Sequence, residues 1–452
     1  MVALDVPAQQ AAARMDGRMR LVLLVLLVAQ FMLAVDFSIL NVALPVIGEG
    51  LGFTLGNLQW IATAFALAAA GFTLLLGRVA DIVGRRRLFL AGMALLGISS
   101  LVGGLATGPG MLMAARVAQG LATAAVTPAG LSLLTSSFPE GPLRAKALGL
   151  NGALMSAGFT TGAILGGVLT DLLSWRWAFF VNVPVAVAVL LVAPAVLKES
   201  RPAVRPRLDI PGAITVTGGL LALVLGLTTE PLALPLGVAL LVAFWFVERR
   251  AASPLVPVRI LTRRTVVQGN LAGLVAFVTE TSLVFLMTLY LQDVLGFSPL
   301  AAGLTFGVLG AGTVLGGVYA PRFIGRRGAR AALVAGGLLQ AAATLSLYAL
   351  GDDRGWLWLL LAGTFAGGVG NMLAIVGFMV TATSGLPDSE QGMATGLATM
   401  TQQIGITMGT PIMSAVVVTS TTVLDGIGLA VLVNAAIVLA GALAAGLFPR
   451  RS

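Results

Sequence analysis

Long apolar runs recur along almost the whole chain and are separated by short polar connections. Most of these runs are near 20 residues or longer, the length an α-helix needs to cross the hydrocarbon core of a bilayer. The pattern predicts an all-α polytopic membrane protein with fourteen transmembrane helices. The runs lie near residues 20–45, 57–79, 88–108, 110–137, 145–172, 177–196, 210–229, 233–248, 267–291, 299–321, 331–350, 356–384, 391–419 and 427–448.

The composition excludes a soluble fold. Of the 452 residues, 58% are hydrophobic and only 10% are charged, and the mean hydropathy is +1.00. Soluble domains carry about 25% charged residues, enough to cover a surface that faces water. We therefore expect the chain to be surrounded by a lipid bilayer.

Missing residue types exclude several kinds of chemistry. The chain has no histidine and no cysteine, so it has no zinc site of the usual ligand types, no disulfide and no nucleophile activated by histidine. Its two lysines, Lys146 and Lys198, do not close a phosphate-binding G-x-x-x-x-G-K-[ST] loop. We expect no enzyme activity, no metal and no cofactor.

The distribution of basic residues predicts the topology. If the N-terminus is cytoplasmic, only Arg176 and Arg354 of the 27 basic residues lie on the extracellular side, and Arg116 lies within an apolar run. The remaining 24 lie on the cytoplasmic side, as the positive-inside rule requires. Both termini are therefore predicted to be cytoplasmic. The net charge of +9 is a topology signal, and we expect no nucleic-acid partner.

The two ends of the chain repeat each other weakly. The sequence LGFT at 51–54 matches LGFS at 295–298, and GRVADIVGRRR at 77–87 resembles GVYAPRFIGRR at 317–327. Paired repeats with a site at their interface are typical of transporters. We predict two six-helix bundles at 1–197 and 267–452, with basic linkers and two inserted helices at 198–266.

Two carboxyl groups lie in the middle of apolar runs at equivalent places in the two repeats. When the two repeats are aligned at an offset of 244 positions, Asp36 and Glu280 occupy equivalent positions. A charge at the bilayer centre costs at least about 2.5–3.5 kcal/mol and usually faces a cavity or a partner. We predict that both take part in proton coupling. The alternative is a structural carboxyl bonded to neighbouring hydroxyls, which Thr279, Thr281 and Ser282 offer to Glu280.

Arg116 is the third charge within an apolar run. On a helix it shares a face with Gly120, Thr123 and Thr127. A polar stripe with an arginine is expected to face the inside of the bundle. Arg116 is therefore the third predicted proton-coupling residue. The open alternative is an arginine that ties helices together through backbone carbonyl groups.

Several motifs resemble those of the major facilitator superfamily. The segment 77–87 is similar to its loop signature between the second and third helices, and 112–120 is similar to its fourth-helix motif. The segment 35–45 resembles the first-helix motif of the fourteen-helix drug:proton antiporters, and 175–184 with 290–292 also fits that family. The spacing of the antiporter motif on the fifth helix is matched by Gly149, Gly158, Gly162, Gly166 and Gly167.

The resemblance implies a proton-driven antiporter that exports hydrophobic or cationic drugs or antibiotics across a bacterial plasma membrane by alternating access. Its partners would be protons and a small substrate, and we expect a monomer. Two alternatives stay open: a proton-coupled importer of a small metabolite on the same fold, and a non-transporting membrane sensor.

Two further sets of residues complete the prediction. The conformational gate is predicted to comprise Gly77, Asp81, Gly84, Arg85, Arg86, Asp388 and Glu390. In one conformation, Arg85 or Arg86 is expected to pair with the acidic loop at 384–391, which contains Asp388 and Glu390. The substrate cavity is predicted to include Asn41, Thr123, Phe285, Tyr290, Asn371 and Gln403.

Overall fold

The computed structural model describes residues 15–138, 142–200, 209–228, 230–251, 254–255, 258–385 and 388–447, and all regular structure in these ranges is helical. Fourteen helices have 15 residues or more. They are α1 (Gly17–Leu51), α2 (Trp60–Val83), α3 (Arg85–Gly104), α4 (Pro109–Ser137), α5 (Pro142–Leu172), α6 (Asn182–Val196), α7 (Ile210–Thr228), α8 (Ala233–Arg250), α9 (Arg264–Leu289), α10 (Pro299–Arg327), α11 (Ala329–Ser346), α12 (Leu357–Thr383), α13 (Asp388–Val417) and α14 (Val423–Leu447).

Each predicted run coincides with one of these helices, so the prediction of fourteen helices is confirmed. Ten helical segments in the described ranges are long and apolar enough to cross a membrane, and Ala157–Leu172 and Ile210–Leu223 are shorter apolar stretches. Large apolar side chains cover the outer surface, among them Leu191 at 75% exposure and Ile98 at 63%. Such a surface suits contact with lipid rather than with water.

The helices form two six-helix bundles with the same internal packing. In the first, α1 packs along α5, α2 along α4, and α3 along α4 and α6. In the second, α9 packs along α13, α10 along α12, and α11 along α12 and α14. The two largest contacts between the bundles are α5 with α10 and α2 with α13.

The inserted helices α7 and α8 pack against each other beside one of these two contacts. Helix α7 touches α2 of the first bundle and α13 of the second. Thr217 donates a hydrogen bond to the Gly71 carbonyl oxygen at 2.5 Å, and the side chains of Val216 and Leu220 pack with Met400. The insertion therefore covers the α2–α13 contact.

Equivalent turns in the two bundles need glycine. Gly52 and Gly296 follow α1 and α9 with φ of 77° and 63°, and Gly84 and Gly328 precede α3 and α11 with φ of 123° and 84°. Residues with a Cβ rarely adopt such angles. Both pairs are 244 positions apart, the offset at which LGFT at 51–54 matches LGFS at 295–298.

The two ends of the molecule differ in charge. One end, here called the basic face, is where α1 begins and α2 ends, and it carries Arg85, Arg86 and Arg87 at the start of α3. The second bundle places Arg326 and Arg327 at the equivalent end of α10. The other end, here called the opposite face, contains the turns at Gly52 and Gly296.

Candidate functional site

Asp36 lies completely buried inside the first bundle. Its Oδ1 accepts hydrogen bonds from Gln119 Nε2 at 2.9 Å and from Asn182 Nδ2. Both amides also donate to Ser100 Oγ, at 2.9 and 3.1 Å. Its Oδ2 lies 3.5 Å from Arg116 Nη1 and accepts no hydrogen bond from the described residues. Asp36 therefore belongs to a polar network that joins α1, α3, α4 and α6.

Arg116 closes this network from α4. Its Nε donates to the Ile61 carbonyl oxygen at 2.9 Å, and its Nη1 donates to Gln119 Oε1 at 2.8 Å. The guanidinium carbon lies 4.3 Å from the ring centroid of Phe65. The arginine is only 1% exposed. It is both the ion-pair partner of Asp36 and, through the Ile61 carbonyl oxygen, a tie to the backbone of α2.

A cavity of about 460 Å³ lies between the two bundles. Its wall extends on α12 as far as Thr383, the last residue of that helix, and on α4 to Leu131. It therefore extends from the middle of the helices toward the basic face. The polar part of the wall contains Gln30, Ser38, Thr123, Thr127, Asn151, Thr160, Glu280, Thr313, Thr383, Thr399, Gln402 and Gln403.

Glu280 is the one charged side chain in this wall among the described residues. It is partly exposed to the cavity, and no described residue forms a hydrogen bond or an ion pair with its carboxyl group. The neighbouring hydroxyls donate instead to their own helix: Thr281 Oγ1 to Phe277 O and Ser282 Oγ to Val278 O. The predicted local bonding of Glu280 to these hydroxyls is therefore not what the structure contains.

One buried aromatic residue touches both the ion pair and the wall of the cavity. Phe65 contacts Arg116 and also lines the cavity, whereas Asp36 and Arg116 do not line it. The ring packs against Phe37 at a centroid distance of 5.8 Å, and Phe37 packs against Phe159 at 5.4 Å. The side nearest the ion pair is thus an aromatic wall.

The residues predicted for the substrate cavity divide into two groups. Thr123 and Gln403 line the cavity. The others are buried elsewhere: Asn41 is 6% exposed and Phe285 3%, and Tyr290 donates to the Gly351 carbonyl oxygen at 2.7 Å. The wall residues that sequence reasoning missed are mainly Gln30, Asn151 and Phe37, whose polar or aromatic character alone does not reveal which side of a helix faces the cavity.

Asn371 belongs to a second polar network, in the other bundle. Its Nδ2 donates to the Ala276 carbonyl oxygen at 3.0 Å. Gln340 Nε2 donates to Thr279 Oγ1 at 3.0 Å, and Asn434 Nδ2 donates to the Thr279 carbonyl oxygen at 3.1 Å. This network joins α9, α11, α12 and α14, the equivalents of the four helices around Asp36, but all its members are neutral.

The predicted glycines of α5 lie at close helix contacts. A Cβ at Gly158 would lie 2.8 Å from the Phe31 carbonyl oxygen, and Gly162 and Gly166 face the α1 backbone in the same way. Gly167 faces Pro299 and Leu300 of α10 across the bundle interface. Gly149 lies in α5, but its surroundings are outside the described residues.

The opposite face of the interface is closed. Gln292 Nε2 donates to the Val42 carbonyl oxygen at 2.8 Å, which joins the second bundle to the first. Apolar side chains at the ends of α1, α9 and α14 form one continuous cluster there. The cavity therefore extends toward one face only.

The predicted gate residues Arg85 and Arg86 have partners within the first bundle. Arg85 pairs with Asp81 at 3.1 Å, and Arg86 Nη1 donates to the Leu197 carbonyl oxygen at 3.0 Å. Glu199 Oε1 accepts from the Arg86 backbone N–H at 3.0 Å, so Glu199 caps α3. The predicted partners Asp388 and Glu390 begin α13, but their side chains lie outside the described residues.

Gly77 and Gly84 occupy the two ends of the gate segment. A Cβ at Gly77 would lie 3.4 Å from Pro128 of α4, an ordinary packing distance. A Cβ at Gly84 would lie 2.7 Å from the Glu199 carboxyl group. Gly84 therefore leaves the space in which Glu199 caps α3.

Sequence comparison gives consistent matches over most of the chain. Residues 26–410 match the family Major Facilitator Superfamily. The chain is 39% identical over 402 residues to the cephamycin export protein CmcT of Amycolatopsis lactamdurans, covering 86% of this chain and 83% of that protein. It is 38% identical over 428 residues to the puromycin resistance protein pur8 of Streptomyces alboniger, covering 91% and 84%.

Comparison of structures gives the same fold. The human organic anion transporter MFSD10 (TETRAN) superimposes with a TM-score of 0.66 at 17% identity, over 95% of this chain and 100% of that chain. At this identity the likeness concerns the fold alone. Together with the match over residues 26–410 and the two bundles of six helices, it shows that this multi-pass membrane protein belongs to the major facilitator superfamily.

Proposed function

We propose that the protein is a proton-driven antiporter that exports hydrophobic or cationic drugs or antibiotics across the plasma membrane by alternating access. The observation that carries the proposal is the cavity between the bundles: among the described residues of its wall, Glu280 has the one carboxyl group, and the others are aromatic, apolar or polar without charge. Flexible methionines such as Met155, Met372 and Met379 suit a wall that adapts to varied apolar molecules. The two relatives, a cephamycin export protein and a puromycin resistance protein, support the same direction of transport.

In this proposal the structure corresponds to the inward-open state. The basic face would be cytoplasmic, in agreement with the positive-inside rule, and both termini would lie there. The segments 1–197 and 267–452 would rock against each other about the cavity, and the inserted segment 198–266 would follow them. Substrate would enter from the cytoplasm or the inner leaflet.

Asp36 would carry the proton. Its Oδ2 accepts no hydrogen bond from the described residues, so this oxygen has room for a proton while Oδ1 keeps its two amide donors. One charge that crosses 100 mV carries about 2.3 kcal/mol, which supports a concentration gradient of about fifty-fold. For a monovalent cation exchanged against one proton, the electrical contributions cancel and the pH gradient drives transport. Glu280 would then neutralise the substrate or carry a second proton.

The test uses inside-out vesicles, a fluorescent cationic dye and a proton probe. Wild type should accumulate the dye on a pH gradient and release protons as it does so. Asp36→Asn should abolish uphill transport, while Asp171→Asn, an exposed aspartate at the end of α5, should transport as wild type does. Uphill transport by Asp36→Asn would refute the coupling role.

The same assay separates the alternatives. An importer would deplete the dye from inside-out vesicles on the same gradient, and a sensor would move neither dye nor protons. Glu280→Gln should reduce transport of cationic dyes more than that of neutral ones. Equal transport of both classes by this variant would leave Glu280 with a structural role only.

A further inference from the structure

The inserted helices α7 and α8 lie on one side of the cavity between the bundles. We propose that they move with the first bundle as a fixed side wall, so that substrates dissolved in the bilayer enter the cavity between α5 and α10 alone. The substrates that this entrance selects are amphiphilic molecules that partition into the inner leaflet. This inference rests on the proposed function, because it concerns how substrate reaches the same cavity.

Two polar contacts attach the insert to the first bundle. Thr217 Oγ1 on α7 donates a hydrogen bond to the Gly71 carbonyl oxygen of α2 at 2.5 Å, and a Cβ on Gly71 would lie 3.9 Å from the Thr217 Cα atom. The glycine thus lets the two helices approach closely, as small residues do in membranes. After α8, the Pro254 carbonyl oxygen accepts a hydrogen bond from Arg78 Nη2 of α2 at 3.4 Å. Helix α2 therefore holds the insert at two levels.

The contact between α7 and α13 has an apolar core. Val216 and Leu220 of α7 pack there with Met400 of α13, and Leu397 lies against the same cluster. Apolar side chains slide past one another without breaking a hydrogen bond, whereas α7 leaves α2 only if the Thr217 bond breaks. Such a bond between membrane helices contributes about 0.6–2 kcal/mol. When the bundles rock, we therefore expect α7 to stay with α2 and to move along α13.

The same apolar cluster covers the α2–α13 side of the cavity toward the basic face. Leu74, just beyond Gly71 on α2, packs against the cluster together with Leu397 of α13. Phe65 is the one described residue of α2 in the cavity wall, and the described residues of α7 and α8 do not line the cavity. A molecule in the lipid beside α2 and α13 therefore meets the insert instead of the cavity.

The other side of the cavity lies between α5 and α10. Near the middle of these helices a Cβ on Gly310 of α10 would collide with the side chain of Thr160 on α5, so the two helices are in close contact there. The next glycines of α10 toward the basic face, Gly312 and Gly316, face the backbone of α12 instead. The glycine contacts between α5 and α10 thus lie at mid-helix and toward the opposite face.

Toward the basic face, both helices of this pair line the cavity. Met155 on α5 and Thr313 on α10 belong to its wall, and Val314, which follows Thr313, is 60% exposed on the outer surface. One side of α10 therefore faces the cavity and the adjoining side faces lipid. In the described part of the chain, α7 and α8 make their main contacts with each other, α2 and α13, so the insert does not cover this gap.

Spin labels test the attachment of the insert. The chain has no cysteine, so labels can be placed on introduced cysteines without removing native ones. Leu191 on α6, Leu443 on α14 and Ile214 on α7 are 75%, 57% and 64% exposed and lie toward the basic ends of their helices, so cysteine at these positions should not disturb packing. Pulsed electron paramagnetic resonance measures the distances between pairs of labels on the full chain in lipid nanodiscs, at pH 5 and 9, with and without tetraphenylphosphonium.

The three distances give a definite pattern if the insert moves with the first bundle. A rocking of about 10° by each bundle, acting about 15 Å from the bilayer centre, should change the distance between Leu191→Cys and Leu443→Cys by about 5 Å. The distance from Ile214→Cys to Leu191→Cys should stay constant, and that from Ile214→Cys to Leu443→Cys should change. An insert that keeps its distance to Leu443→Cys, or changes its distance to both bundles, would overturn the inference. A constant distance between the two bundles would instead refute alternating access.

Cysteines in the cavity wall test the entrance. Met155→Cys and Thr313→Cys lie on the two helices of the gap, whereas the matched control Gln403→Cys lies on α13, next to Ile404 of the covering cluster, and all three positions line the cavity. Each variant is treated with hexadecyl methanethiosulfonate, which stays in the bilayer, and with a charged methanethiosulfonate that stays in water. The two cysteines at the gap should react with both reagents, and Gln403→Cys with the water-soluble one alone.

Two labelling results would overturn the one-sided entrance: reaction of Gln403→Cys from the bilayer as fast as that of the gap cysteines, or failure of both gap cysteines to react from the bilayer. Neither result depends on pumping. Conversely, a wild type that shows the expected labelling and distances but never exports dye on a pH gradient would refute the proposed antiport and keep the inference about the insert.

Discussion

Replacing Arg116 by methionine removes the cation that faces Asp36 inside the first bundle. The two charges are 3.5 Å apart and at most 1% exposed. At an effective dielectric constant of about 20 their attraction is about 5 kcal/mol. Breaking a buried pair by removing one partner costs about 3–5 kcal/mol, because the remaining charge stays buried and uncompensated. We expect Arg116→Met to lower the free energy of unfolding by that amount.

A double-mutant cycle isolates the pair from the other contacts of Arg116. Combining Arg116→Met with Asp36→Asn removes both charges, so the double variant should be more stable than the sum of the single effects by about 2–3 kcal/mol. The assay is equilibrium unfolding in mixed micelles, followed by tryptophan fluorescence.

The matched control is the pair Asp81–Arg85. It is shorter, at 3.1 Å, but its side chains are 27% and 21% exposed. Solvent screening should limit its coupling to less than about 1 kcal/mol. If the buried pair couples no more strongly than this one, burial does not strengthen the Asp36–Arg116 interaction and the reasoning fails.

Three further substitutions test the packing and the polar contacts. Gly166→Ala should destabilise the folded protein by more than about 1 kcal/mol, because a Cβ would collide with the α1 backbone. The control Gly396→Ala has open space around its Cβ and should be neutral or stabilising. Thermal unfolding compares the two variants. Glu199→Ala should cost about 1 kcal/mol and speed hydrogen exchange at the start of α3, and unchanged exchange would remove its capping role. Asn434→Leu should cost about 0.5–1.5 kcal/mol by removing the hydrogen bond from α14 to the Thr279 carbonyl oxygen, which keeps its donor within α9, and an unchanged unfolding midpoint would contradict this.

The sequence predicts the helices and the fold of this protein well. The length of an apolar run and the positive-inside rule act on each segment locally, so fourteen helices and the repeat could be placed without any contact information. The cost of a charge in lipid likewise singles out Asp36, Arg116 and Glu280. For each of these three residues the signal lies at a single chain position, as a charged side chain within an apolar run.

The partners of these residues could not be predicted in the same way. Ser100 lies beside the Asp36 network but is one of many serines in apolar helices, and hydroxyls there usually bond to their own backbone. The capping of α3 by Glu199 was missed, since a linker after α6 and a turn after α2 are more than a hundred positions apart. The neutral network around Thr279 is not predictable from the sequence, because burying uncharged polar groups in a membrane helix costs much less free energy than burying a charge.

The contacts that close the opposite face determine how ionic strength affects the balance between the two conformations. The bundles meet there through the hydrogen bond from Gln292 to the Val42 carbonyl oxygen, through glycine contacts such as Gly167 with Pro299, and through apolar side chains. None of the pairs Asp81–Arg85, Arg87–Glu199 and Asp36–Arg116 joins the two bundles. Opening this face therefore separates no described pair of opposite charges. Among the described residues, the carboxylates of Glu49 in the first bundle and Asp293 in the second repel each other across this face. Salt screens this repulsion, so higher salt should shift the balance toward the conformation in which this face is closed, and access of cationic substrates to the cavity should respond to salt as well.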